Sequence, residues 1–287
     1  MMRSKPSLKN LVKSALLFSL LICISFSGCQ NPTESTYKEE DIPYLVKKIC
    51  KEEYGLDVTT KRTDTTLWIY APLNQILDKE FGIKEGKMFD SEMLDKLRNI
   101  LTTIGRVLIS SDNTPEFYAL LASDINLGID YTLIGSVLDT KKSYANFIPW
   151  TESNRRYVIR LALAPQAIGD STGKHLNAYD VKLADFLAEQ VGQRIGAKFQ
   201  EEEWKKYFKV DKSEGRFADN TLIIGYSISE IAKPNKEIDI REEMLNIIAY
   251  CLKSYEFKDF SGIELVDLAK QDKLILGSQA ILARPTE

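Results

Sequence analysis

Histidine is nearly absent from this sequence, and its scarcity excludes several kinds of site. The 287 residues contain one histidine, His175. Metal motifs that need two histidines, such as HExxH, are therefore excluded, and any Ser-His-Asp triad would depend on His175. Because His175 follows a glycine-rich loop, we expect it to be an ordinary exposed side chain. No spacing of acidic residues resembles a calcium loop, so we expect neither a metal nor a cofactor.

A strong net charge is also missing. The chain has 38 basic and 41 acidic residues, which gives a formal net charge of −3 at pH 7. Residues 1–28 carry four of the basic residues and no acidic one, so the remaining chain has a net charge of −7. Nucleic-acid binding requires lysine and arginine to neutralise phosphates. We therefore expect no nucleic-acid partner.

Hydrophobic runs are short. Residues 15–26 form an uncharged apolar run, and the residues before it include four basic side chains. A membrane-spanning helix needs about 20 apolar residues, whereas a basic start and a shorter apolar run are typical of a cleaved secretion signal. The alternative is an N-terminal anchor helix that is never cut. The polar residues 30–40 lack the cluster of positive charges expected beside such an anchor.

The end of this segment carries the most specific motif in the chain, Phe26-Ser27-Gly28-Cys29. It resembles the lipobox of bacterial lipoproteins, in which leucine usually stands where this chain has phenylalanine. The resemblance covers residues 1–29. It implies that residues 1–28 are a cleaved signal peptide and that Cys29 receives a diacylglycerol and becomes the first residue of the mature chain.

The same resemblance implies a location. Residues 29–40 would form a lipidated, flexible tether, and the lipid on Cys29 would hold the protein to a membrane outside the cytoplasm. Lipoproteins that stay on the inner membrane of two-membrane bacteria carry aspartate after the cysteine, and this chain has Gln30. The outer membrane is therefore favoured if the organism has one.

Hydrophobic periodicity predicts an α+β fold. Apolar residues at helical spacing and alternating apolar residues give the order helix, strand, strand, helix, strand, strand twice. The first unit covers residues 41–148 and the second covers residues 177–287, with Asn177 as the predicted cap of a long helix. We expect mainly antiparallel sheets with helices on one face. In the connecting segment, residues 149–176, Thr151 caps a short helix carrying Tyr157, Val158 and Leu161, or residues 157–163 form a strand.

Short strings suggest that the two units are an internal duplication, although coincidence is the alternative. The matching strings are Thr66-Leu67-Trp68-Ile69 with Thr221-Leu222-Ile223-Ile224, Glu92-Met93-Leu94 with Glu243-Met244-Leu245, and Gly135-Ser136 with Gly277-Ser278.

Some short patterns are similar to known sites but lack the spacing or the order that those sites require. Residues 169–175 lack one residue of the phosphate-binding spacing, and His175 stands where that motif needs a hydroxyl. Two short motifs of penicillin-binding enzymes occur in reverse order. The sequence therefore identifies no catalytic residue. Four aromatic residues could line a groove for sugar or peptide, or simply pack on a helix: Trp68, Tyr70, Phe147 and Trp150.

Two cysteines remain beyond Cys29. Cys50 and Cys251 each lie on the apolar side of a predicted helix, which favours two buried thiols, although one disulfide is an alternative.

Three functions fit these observations. We favour a non-enzymatic scaffold or assembly factor of the cell envelope, with an envelope protein as its partner. One alternative is a solute- or glycan-binding lipoprotein that uses a cleft between the two units. The other is an envelope hydrolase with an unrecognised site.

Overall fold

The computed structural model describes residues 36–81, 88–234 and 238–285. The predicted signal segment, Cys29 and residues 29–35 of the predicted tether lie outside the described residues. Within these three ranges, the helices are all too short or too polar to cross a membrane.

Each half of the chain folds into a unit with the predicted order, and the α+β class is confirmed. The first unit comprises α1 (Ile42–Tyr54), β1 (Thr59–Thr63), β2 (Thr66–Leu73), α2 (Ser91–Ile109), β3 (Phe117–Asp124) and β4 (Ile129–Ser136). Next come α3 (Val137–Tyr144), α4 (Trp150–Asn154) and β5 (Val158–Leu163). The second unit comprises α5 (Leu183–Phe199), β6 (Phe208–Ala218), β7 (Thr221–Glu230), α6 (Ile240–Ser254), β8 (Gly262–Asp267), β9 (Asp272–Gly277) and α7 (Ser278–Leu282).

Local capping residues set several helix ends. The Asp90 carboxylate accepts a hydrogen bond from the Met93 N–H at 3.0 Å, and Asp239 accepts one from the Arg241 N–H at 2.9 Å. Such side chains satisfy backbone donors that have no partner inside the helix. Gly55 ends α1 with a φ of 67°, a left-handed conformation that glycine adopts without steric cost.

The predicted cap at Asn177 is wrong, because α5 begins only at Leu183. The residues between these two positions are held by the first sheet instead. The Asp180 carboxylate accepts hydrogen bonds from the Thr65 N–H at 2.9 Å and from the Thr66 hydroxyl at 3.2 Å. These long-range bonds hold residues 177–182 outside the helix.

The strands of the described ranges form two sheets, in the orders β1-β2-β3-β4-β5 and β6-β7-β8-β9. The central pairs, β2–β3 and β7–β8, are parallel, because a helix crosses over between their strands. The other ladders are antiparallel. Of the two structures left open for the connecting segment, residues 158–163 form the strand: β5 completes the first sheet, and the short helix α4 ends before it at Asn154.

The ladders show which residues of the two units are equivalent. Thr66 and Thr221 each pair with the first residue of the next strand, so this string match is in register. At the far end of the fourth strands, Ser136 and Gly277 occupy the equivalent position. The match of Gly135 with Gly277 is therefore out of register by one residue.

The two units stack so that helical layers and sheets alternate. Helices α1 and α2 cover one face of the first sheet and share a core with it. Helices α5 and α6 lie between the sheets. Phe186 and Leu187 of α5 belong to a single core with Trp68 of the first sheet and with Leu222 and Ile224 of the second. The layer order is therefore helices, sheet, helices, sheet.

Glycine allows α5 to lie directly against β6. A Cβ atom on Gly215 would lie 1.8 Å from the carbonyl oxygen of Ala188, and one on Gly192 would lie 2.5 Å from the Gly215 nitrogen. Neither distance is compatible with a side chain, so both glycines are required for this helix-to-sheet contact.

Cys50 and Cys251 are separate free thiols, as favoured from the sequence. Cys50 lies in the core beneath the first sheet, and Cys251 lies in the core between the two sheets. Burial raises the pKa of both thiols, that of Cys251 to about 11.

Candidate ligand-binding cleft between the two units

A buried network of ion pairs joins the two units. Arg156, which lies between α4 and β5, donates hydrogen bonds to Asp139 at 2.8 Å and to Glu152 at 2.9 Å. Arg194 of α5 donates to the same Glu152 from the second unit. The four side chains have little exposure to solvent. Because buried charges are costly unless they are paired, the network fixes the two units relative to each other.

Two tyrosines at the end of α6 complete the network. Tyr250 donates a hydrogen bond to Glu152 at 2.9 Å, and Tyr255 donates one to Asp139. The Arg194 guanidinium lies 4.7 Å from the centroid of the Tyr250 ring, within the range of a cation–π contact. Both buried carboxylates therefore receive hydrogen bonds from the connecting segment and from the second unit.

The network keeps its charges fixed. Burial by itself raises the pKa of Glu152, but hydrogen bonds from Arg194 and Arg156 outweigh it and leave that pKa below its ordinary value. Burial likewise disfavours the charge on Arg156, and the hydrogen bond to Glu152 helps to raise its pKa nonetheless. A general acid needs a pKa near the working pH. Glu152 therefore acts as a permanent, paired anion.

A cleft of about 570 Å³ opens beside this network. Small-molecule sites typically occupy about 300–1,000 Å³. The connecting segment, whose β5 completes the first sheet, contributes α4 and β5 to the walls, and the second unit contributes α5 and α6. One set of lining side chains is apolar, namely Ile159, Ala197 and Ile247. Another set is charged, namely Glu152, Arg155, Arg194, Lys198 and Glu201.

The charges around the cleft nearly balance, because three cations face two carboxylates. At the exposed end, Arg155 and Lys198 both contact Glu201, each at 3.0 Å. At the buried end, Arg194 pairs with Glu152. The cleft thus presents fixed hydrogen-bond donors and acceptors together with apolar side chains, with little net charge.

The aromatic residues singled out from the sequence do not form one groove. Trp68 and Tyr70 are buried, and the Trp68 indole donates a hydrogen bond to the Tyr179 carbonyl at 2.7 Å. Trp150 is 68% exposed. It lies one helical turn before Asn154, a cleft residue, and residues four apart share a helix face. Trp150 therefore stands beside the cleft.

His175 is buried, contrary to the exposed position expected from the sequence. Its side chain is 6% exposed. The Nδ1 atom lies 2.7 Å from Asp170 Oδ2, and the Nε2 atom lies 3.3 Å from Ser123 Oγ. The loop that carries His175 folds onto the first sheet, a tertiary contact that local sequence does not reveal.

Ser123, His175 and Asp170 have the connectivity of a catalytic triad, but their surroundings indicate a structural role. Ser123 is fully buried and donates its hydroxyl hydrogen bond to Asp130. Burial by itself raises the pKa of Asp170, but hydrogen bonds from the His175 side chain and backbone help to lower it below its ordinary value. The Asp170 carboxylate also accepts a hydrogen bond from the Gly173 N–H at 2.9 Å. The cluster therefore fastens the loop.

In the part of the chain that the structure describes, no group of three or more histidine, cysteine, aspartate or glutamate side chains is placed to hold a metal ion.

Comparisons with protein-family models, curated proteins and solved structures give no match to the chain.

Sequence reasoning singled out none of the network residues. One signal was available in α5, where Gln190 and Arg194 lie one turn apart in a helix that is otherwise apolar on several sides. Two polar residues on a buried helix face indicate a polar cluster in the interior.

Proposed function

We propose that the protein is an extracytoplasmic binding lipoprotein, held to a membrane by lipid on Cys29, and that its inter-unit cleft binds a small solute. The observation that supports a binding role is the cleft itself, whose lining combines preorganised Arg–Glu pairs with apolar side chains. The outer membrane is the favoured location if the organism has two membranes.

The wall chemistry favours a neutral ligand rich in hydroxyl groups, such as a glycan fragment. Arg194 and Glu152 offer a donor and an acceptor side by side, which suits hydroxyl groups that both donate and accept. Ile159 and Ala197 provide apolar contact for the carbon skeleton of the ligand. Trp150 adds an exposed aromatic ring at the edge, and aromatic side chains with one wet side are common at binding surfaces.

Binding can be tested by calorimetric titration of the purified full-length chain in a sugar-free detergent. The probes are chitotriose, cellotriose and maltotriose, with free amino acids as charged comparators. Ala197 is exposed and lines the cleft, so Ala197→Phe should fill the site and abolish binding. Leu94→Phe adds the same ring at an exposed position of α2 and should leave binding unchanged. Equal binding by both variants would exclude the cleft.

The anchor is tested separately. Cells that express the full-length chain are labelled with an alkyne-modified palmitate, and the label should be lost in Cys29→Ser. Retention of the label in Cys29→Ser would contradict lipidation at this residue.

A second candidate function, the envelope scaffold favoured from the sequence, is supported by a different surface. The β5 strand exposes apolar side chains at the edge of the first sheet, and such edges serve as protein-binding sites.

A further inference from the structure

The edge strands of the two sheets differ in how they are protected. Natural proteins place charged residues, bulges or irregularities on edge strands, which prevents pairing with other chains. Strand β1 carries Lys61 and Arg62, β6 contains a register shift at Val210, and β9 carries Lys273. Strand β5 reads Val-Ile-Arg-Leu-Ala-Leu and lacks this protection along its second half.

The free backbone groups of β5 can be assigned from its pairing. Successive residues of a strand direct their N–H and C=O groups to opposite edges. Ile159 directs its groups away from β4, because both are bonded to the side-chain amide of Gln193, at 2.9 and 2.7 Å. Leu161 and Leu163 have the same orientation and, among the described residues, no partner strand. Their side chains are 41% and 84% exposed.

We propose that β5 pairs antiparallel with β5 of a second copy of this chain, about a two-fold axis that passes through Ala162. In this register Leu161 of each copy faces Leu163 of the other copy. All four outward N–H and C=O groups on each strand then form hydrogen bonds across the axis. The exposed leucine side chains also meet as cross-strand pairs, which stabilise antiparallel sheets.

The ends of the strand fit this register. It places Ile159 opposite Pro165 of the second copy, where no new hydrogen bond is required, because the backbone of Ile159 is already bonded to Gln193 and proline has no N–H. The chain also leaves the strand direction there, since residues Pro165–Ala167 form a 3-10 turn. The pairing is thus confined to residues 160–164 of each copy, between the Gln193 side chain of one copy and that of the other.

Charge at the edge is compatible with self-association. Arg160 is the charged residue of β5, and its guanidinium is held by Glu189 at 2.5 and 2.7 Å. The register places Arg160 opposite Ala164 of the second copy, so no like charges meet. A self-complementary surface of this kind is required of an isologous two-fold interface.

The register is tested by disulfide trapping of the full-length chain in intact cells. Ala162 is exposed and faces itself across the axis at a non-hydrogen-bonded pair, where Cα atoms lie about 4.5 Å apart. This separation suits a disulfide. Treatment with a mild oxidant should convert most of the Ala162→Cys variant to a species of twice the monomer mass on non-reducing gels. Ile275→Cys, at an exposed position of β9, is the matched control.

Three outcomes decide the proposal. A dominant Ala162→Cys dimer that falls severalfold when Leu163→Lys is added supports it, because the added lysine leaves the intrasheet bonds of β5 intact. The proposal is overturned if Ala162→Cys is crosslinked no more than Ile275→Cys, although the introduced cysteine of each variant reacts fully with maleimide. A crosslinked species of another mass, containing a different protein, also overturns the second copy as the occupant and assigns the edge to that partner.

Discussion

Substitution of Arg156 by alanine removes a cation that, alone among the described residues, contacts both buried carboxylates of the inter-unit network. Glu152 would keep its hydrogen bonds from Arg194 and Tyr250. Asp139 would keep only the hydroxyl of Tyr255 among the described residues. The variant therefore leaves one buried carboxylate without a counter-ion, while the second carboxylate stays paired.

The expected loss in the free energy of unfolding follows from this difference between the two carboxylates. Removing one partner of a buried ion pair typically destabilises a protein by about 3–5 kcal/mol. Because Glu152 retains two partners, we expect a value near the lower limit, about 3 kcal/mol. Native domains are stable by about 5–15 kcal/mol, so this loss is a large fraction. Arg156→Lys should restore little, since an ammonium group lacks the planar fork that reaches both carboxylates.

The measurement is equilibrium unfolding in urea, followed by far-ultraviolet circular dichroism. With an m-value of about 3 kcal/mol/M, Arg156→Ala should lower the midpoint by about 1 M. The control is Arg98→Ala, which removes an exposed pair with Asp95 of 2.9 Å and should change stability by about 0.5 kcal/mol or less. Equal midpoints for the two alanine variants would refute the role of the network in holding the units together.

Three further predictions concern other parts of the fold. Gly215→Ala should destabilise the protein by about 3 kcal/mol or more, measured by thermal unfolding against Gly277→Ala, because Gly277 has open space around it. The stabilisation that Asp170 provides should be complete above its ordinary pKa of 3.8 and decrease as the pH falls further, because folding lowers this pKa; Asp170→Asn should flatten the pH dependence of the unfolding midpoint. Cys50 and Cys251 should resist a thiol reagent at neutral pH until urea unfolds the chain, since burial raises both pKa values; rapid labelling of the native protein would contradict this.

The sequence predicted the units because their signals are local. The apolar stripe of α2 and the alternation in β2 each extend over a single element, so the element order and fold class could be read directly. The same reasoning failed at Asn177, where a competent capping residue is overridden by hydrogen bonds between Asp180 and the first sheet. Long-range contacts decide such positions, and no local pattern records them.

The sequence predicted where a cleft would lie, but not which residues line it. A cleft between two units was one of three alternatives, but the residues that build it were not identified. Arg156 and Asp139 are 17 residues apart, and Tyr255 lies 116 residues from Asp139. Nothing in the local sequence distinguishes these charged and aromatic residues, because only the stacking of the two units brings them together. His175 shows the reverse error, because its burial depends on a loop that folds back onto the first sheet.

The stacking also explains a difference between equivalent positions of the two sheets. The back face of the first sheet is covered by α5 and α6, and it carries Trp68, Ala119 and Ile134. The equivalent positions of the second sheet, by the register of the ladders, are Ile223, Glu264 and Ile275. Glu264 there forms an ion pair with Lys273 at 3.3 Å.

A helix that follows a sheet in such a stack must be apolar towards two neighbours, whereas the last sheet must be compatible with water on its outer face. Terminal repeats of stacked proteins have a polar outer face for the same reason. Helix α5 meets the first demand, because Phe186 contacts Phe117 of the first sheet while Gly192 contacts β6 of the second. Glu264 and Lys273 meet the second demand. Ala119 and Glu264 are therefore equivalent positions of which one continues the stack and the other ends it.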